Sequence, residues 1–175
     1  MGSLGKAGKD ALLYLPGRLV VGCVGFVVLP VLTHLFPDPA DIGRYDLTLR
    51  FAQFLHFLFT AWLGTALVRY YADYSSENRA STFYTVIVWW RRAGVLAGFL
   101  VAIGVYFWGP DSLFETFRDL ILLGGLVFVS LAVFETDQML LRAKGLAAMF
   151  SVYLIITTVG KFILGFALVL LFHRG

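Results

Sequence analysis

The sequence predicts an all-α integral membrane protein with about five transmembrane helices, and three observations carry that expectation. The composition is far from the soluble balance: of 175 residues, 59% are hydrophobic and 14% charged, with a mean hydropathy of +0.83. The apolar residues gather into five runs, at about 12–35, 47–70, 84–108, 117–136 and 146–172, each near the roughly 20 residues that cross a bilayer. Short polar breaks separate the runs. Because no stretch reads as a linker or soluble segment and no period repeats, one transmembrane domain over 1–175 is expected.

The first run follows Lys6 and Lys9, a flank that suits a secretory signal. It is too long for one and lacks a small-x-small cleavage site, so it reads as an uncleaved span. Pro16 and Pro30 are expected to bend it, and Gly22 and Gly25 share a stripe with Arg18, which allows close approach of a neighbouring helix. Pro37 to Asp46 reads as an acidic turn. The second run, Leu47 to Tyr71, carries Arg50, Gln53 and His56. At about 100° per residue these fall with Thr60 and Gly64 within a sector of about 120°, opposite an aromatic and aliphatic face. In the third run Trp89 and Trp90 beside Arg91 and Arg92 suggest an interfacial anchor; the alternative is a helix carrying both arginines in a cavity. The fourth run ends at Glu135 and Asp137. The fifth holds Lys161 near its middle.

Basic residues concentrate at the N-terminus (Lys6, Lys9), in the second connection (Arg69, Arg79) and in the fourth (Arg142, Lys144). The positive-inside rule therefore sets the N-terminus in the cytoplasm and, after five crossings, the C-terminus outside.

A charge at the bilayer centre costs roughly 2.5 to 3.5 kcal/mol, so depth decides which charges need a reason. Arg50 and Arg18 lie about a turn inside their helix ends, where snorkelling is the plain alternative. Arg69 reads as an interfacial anchor. Lys161 is roughly 16 Å or more from either end of its run, at 1.5 Å per residue, and shares its face with Ser151, Thr158 and Gly165. His56 is similarly deep, and one helix–helix hydrogen bond would satisfy it. Arg18, Arg50, Gln53, His56 and Lys161 are thus the candidates for a cationic cavity, which suits an anionic, phosphate-bearing ligand.

Other chemistries lack residues. The three histidines are dispersed and the acidic residues read as helix ends, so neither a metal site, a cofactor site nor a catalytic constellation is expected. The lone Cys23 reads as a packing residue without a disulfide partner. The net charge of +3 is spread between apolar runs, which argues against nucleic acid. No Walker A sequence is present.

The stretch GFVVLPVLTHLFPDPADIGRYDLTLRFAQFLHFLFTAWLGTALVRYYADY, with Gly43-Arg44-Tyr45 in its loop and Arg69-Tyr70-Tyr71 closing its second helix, resembles the start of Wzx-type O-antigen and polysaccharide flippases. Leu140 to Gly145, Leu-Leu-Arg-Ala-Lys-Gly, looks like the family's fourth-to-fifth helix junction. The resemblance implies flipping of an undecaprenyl-diphosphate-linked oligosaccharide across the bacterial inner membrane in surface polysaccharide biosynthesis, by a two-lobe exporter with alternating access. It implies membrane lipids and the lipid-linked oligosaccharide as ligands, with a remaining transporter half or other polysaccharide-assembly proteins as partners. Five helices do not complete one six-helix lobe, so the expectation is an N-terminal portion. A multidrug exporter of the same superfamily and a non-catalytic membrane scaffold or partner subunit are the alternatives. The drug-exporter alternative would call for acidic residues deep in the helices.

Overall fold

A computed structural model describes residues 2–36, 38–109 and 118–172. Among them the chain forms six α-helices and no strand: α1 (Gly2–Leu35), α2 (Pro39–Phe59), α3 (Ala61–Ser76), α4 (Ala80–Trp108), α5 (Arg118–Ala143) and α6 (Ala147–Phe172). They fall into two compact units, one of residues 1–37 with 145–175 and one of 38–144.

In the first unit α1 packs on α6 through small and aromatic groups. A Cβ on Gly17 would lie 3.1 Å from the Ser151 Cα and 3.2 Å from a Leu154 methyl, so glycine permits the approach. The Ser151 hydroxyl donates to the Leu13 carbonyl, and the Tyr14 and Phe150 rings meet edge to face with centroids 5.2 Å apart. α1 begins at Gly2 and runs through both Pro16 and Pro30, earlier than the expected start near residue 12; an apolar run marks what can enter a membrane, not where helix begins.

The second unit, α2 to α5, corrects the expected boundaries. The segment read as a turn at 37–46 is largely the first two turns of α2: Pro39 fills the first helical position and the Asp38 carboxylate accepts from Ala40 N at 2.8 Å, a capping pair that Pro and Asp supply at a helix start as well as in a turn. The expected second span, 47–70, is broken. Thr60 (φ −135°, ψ −19°) separates α2 from α3, and the two axes differ by 44°. At the break the Trp62 indole donates to the freed Phe59 carbonyl at 3.1 Å, and Gly94 of α4 lies so close that a Cβ there would meet that same carbonyl oxygen at 2.6 Å.

α3 closes with Asn78 at φ 58°. Asn78 N donates to Ser75 O at 3.2 Å and Arg79 N to Tyr74 O at 2.8 Å, the paired bonds of a Schellman stop. α5 does not end at Glu135 but continues to Ala143, past which Gly145 takes φ 68°.

Two apolar cores result. One joins Ala52 and Leu55 of α2, Ala102 of α4, and Ile121, Phe128 and Ala132 of α5. The other joins Leu63 and Leu67 of α3 to Phe83 and Ile87 of α4. Glycines bring the first together: Gly98 faces the Phe128 ring and Gly125 the Ala102 methyl, the small-residue contact typical of helices in lipid. Large apolar side chains cover the outside, with Phe57 77% and Trp108 84% exposed. Such a surface suits lipid rather than water.

Among the described residues, α4 and Leu120–Ala143 of α5 are each long and apolar enough to cross a membrane, and the bent pair α2–α3 makes a third candidate. That is two or three spans against the expected five. In α1 and α6 the described apolar stretches, Leu12–Val28 and Ala147–Lys161, are shorter.

Candidate functional site

Between the two cores of the second unit lies a layer of polar side chains. His56, one turn before the break, directs Nε2 at Glu135 Oε2 of α5 at 2.8 Å, and its Nδ1 lies 2.8 Å from Thr60 Oγ1. The imidazole side chain is 11% exposed and the carboxylate 46%. On the far side of α5, Arg91 of α4 donates to Asp137 at 2.9 Å, its side chain 17% exposed. Both acidic residues lie inside the helix rather than at its end. This overturns the expectation that the acidic residues sit at helix ends, and it makes Arg91 the cavity-type arginine of the two while Arg92 stays exposed. Carboxylates are tolerated there because each meets a donor from a neighbouring helix.

A pocket of about 360 Å³ opens beside this layer, lined by His56, Thr60, Arg69, Glu135, Thr136 and Arg142 among others. Arg69 comes from α3 and Arg142 from the last turn of α5. Their guanidinium groups and the imidazole stand against a single lining carboxylate. Arg69 also lies over its neighbour's ring, 5.3 Å from the Tyr70 centroid, a cation–π contact that helps orient the guanidinium. Two arginines at one mouth can clasp a phosphate or diphosphate by paired N–H donors.

The chain Glu135–His56–Thr60 has the connectivity of a hydrolytic triad. Its hydroxyl is badly placed for that work. Thr60 is 1% exposed, and its Oγ1 also lies 3.2 Å from the His56 carbonyl, so the hydroxyl stabilises the helix break. No group of three metal-ligating residues occurs among the described residues.

Of the five expected cavity residues, His56 alone lines this pocket. Gln53 and Arg50 are exposed on α2; Arg50 pairs with Asp46 at 3.4 Å and borders a separate, apolar hollow of about 310 Å³ with Phe51, Phe54 and Ile121. Arg18 and Lys161 belong to the unit of α1 and α6 and are exposed there. Sequence reasoning missed Arg69, Arg142 and Glu135. The signal was the spacing Ala132, Glu135, Thr136, Met139, Leu140, which keeps one face of α5 inward after the apolar run stops. No family model matches the chain, and no curated protein or solved structure is significantly similar to it.

Proposed function

We propose that this chain takes part in moving an undecaprenyl-diphosphate-linked oligosaccharide from the inner to the outer leaflet of the bacterial inner membrane, contributing the N-terminal part of a two-lobe exporter with its N-terminus in the cytoplasm. The observation that carries the reading is the meeting of Arg69 and Arg142 at one pocket. They come from the two segments that bear the resemblance, Arg69-Tyr70-Tyr71 and Leu140 to Gly145. Far apart in sequence, they line the same pocket, where two guanidinium groups supply the chemistry a diphosphate requires. The five-span arrangement counts α1 and α6 as further spans, and Arg18, Arg50, Gln53 and Lys161 as further polar groups along the path. The test is polysaccharide export in cells carrying Arg69→Ala or Arg142→Ala at wild-type protein level. The reading expects at least a tenfold loss of surface polysaccharide, and normal export from both variants would overturn it.

A second reading, export of cationic drugs, gains support from Glu135, an acidic residue that lines the pocket. It expects Glu135→Gln to lower resistance to lipophilic cations and to leave polysaccharide export unchanged.

A further inference from the structure

The helices of the second unit are longer than a membrane is thick. At 1.5 Å per residue α4 is roughly 43 Å long and α2 with α3 roughly 55 Å, against a hydrocarbon layer of roughly 30 Å. Part of each must lie outside it. Two girdles mark where. At one end Trp108 is 84% exposed, and Arg118 donates to the Gly109 carbonyl at 3.3 Å. At the other end stand the His56–Glu135 and Arg91–Asp137 pairs, the exposed Arg92 and three tryptophans. Trp62 and Trp90 meet edge to face at 5.9 Å, as do Trp89 and Trp90 at 5.1 Å, and the three are 47%, 46% and 62% exposed in the order Trp62, Trp90, Trp89. From Arg118 to Asp137 along α5 is roughly 28 Å.

We propose that the inner edge of the hydrocarbon layer crosses this unit at Thr60 and Trp90, so that α3 and the first part of α4, Ala80 to Trp89, project through the phospholipid headgroup layer instead of completing a span. Charged pairs that would cost several kcal/mol at mid-membrane then sit at headgroup depth. The tryptophans occupy the interfacial belt that indole favours. α3 buries Leu63 and Leu67 against Phe83 and Ile87 of α4 and leaves Thr65, Arg69 and Asp73 exposed among Val68, Tyr70 and Tyr74, a mixed surface that suits the interface better than the hydrocarbon. The basic side chains at this level, Arg69, Arg92 and Arg142, complement anionic phospholipid.

This placement rests on the inner-membrane orientation proposed above but not on the transported substrate, and labelling reads it separately from export. The experiment introduces single cysteines into Cys23→Ser protein and measures the rate of reaction with a membrane-impermeant maleimide in inverted membrane vesicles and in intact cells. Denatured samples check that each thiol is present. Thr65→Cys and Val86→Cys are expected to react in inverted vesicles at least tenfold faster than Phe57→Cys and Leu96→Cys, and not in intact cells. Protection of position 65 or 86 to the level of position 57, or labelling of either from the outside, would overturn the proposal.

Discussion

His56 Nε2 and Glu135 Oε2 stand 2.8 Å apart across α2 and α5, and this contact ties the helix break to the pocket. Thr60 holds the imidazole from the other side, so the ring has a partner for each nitrogen. The pair should therefore be coupled. A double-mutant cycle with His56→Leu and Glu135→Gln, read by thermal unfolding in detergent, is expected to give a coupling of about 1 kcal/mol; the half-exposed carboxylate keeps it from being larger. Additive effects would show the contact to be incidental.

Arg91 and Asp137 make a second cross-helix pair, and here one partner is largely enclosed. Removing one charge leaves the other without its counter-ion. Asp137→Leu, which orphans the enclosed Arg91, is expected to cost about 2–3 kcal/mol, and Arg91→Met in the same chain to recover at least half of it. The check is the midpoint of unfolding for the single and double variants.

Glycines of the second unit are not equivalent. A Cβ on Gly94 meets the Phe59 carbonyl oxygen at 2.6 Å, whereas one on Gly64 meets the Met139 side chain at 2.9 Å. Backbone cannot yield and a thioether can. Gly94→Ala should cost about 1–3 kcal/mol and Gly64→Ala under 1 kcal/mol, measured as the loss of folded protein on heating.

The stop after α3 depends on a left-handed residue, Asn78 at φ 58°. Glycine adopts that conformation without strain and a β-branched residue does not. Asn78→Gly is expected to be within a few tenths of a kcal/mol of the parent, and Asn78→Val about 1 kcal/mol less stable. Equal stability of the two variants would contradict the Schellman stop.

Much of this was legible in the sequence, and the misses share a cause. Hydropathy located the helical runs and the short α3–α4 and α5–α6 connections, since a run of apolar residues is itself the signal. It could not find helix that continues past the apolar run. Pro39 and Asp38 open α2 in what looked like a loop, and Glu135 to Ala143 extend α5 because partners from α2 and α4 meet the charges. The break at Thr60 was invisible because its neighbours, Phe59, Ala61 and Trp62, are apolar on both sides. His56 was found because a polar group in an apolar run stands out. Arg69 and Arg142 were read as anchors and topology signals, since their convergence depends on how α3 and α5 pack.

Arg69 and Arg142 are proposed to form one diphosphate site. Titration of the purified protein with a short-chain polyprenyl diphosphate tests it most directly, with inorganic pyrophosphate and a lipophilic cation as comparisons. Each guanidinium–phosphate contact contributes about 1.5–3 kcal/mol, so Arg69→Ala with Arg142→Ala should weaken diphosphate binding by about 100-fold or more and leave the cation unaffected. Unchanged diphosphate affinity in the double variant, or an equal loss of cation binding, would contradict it.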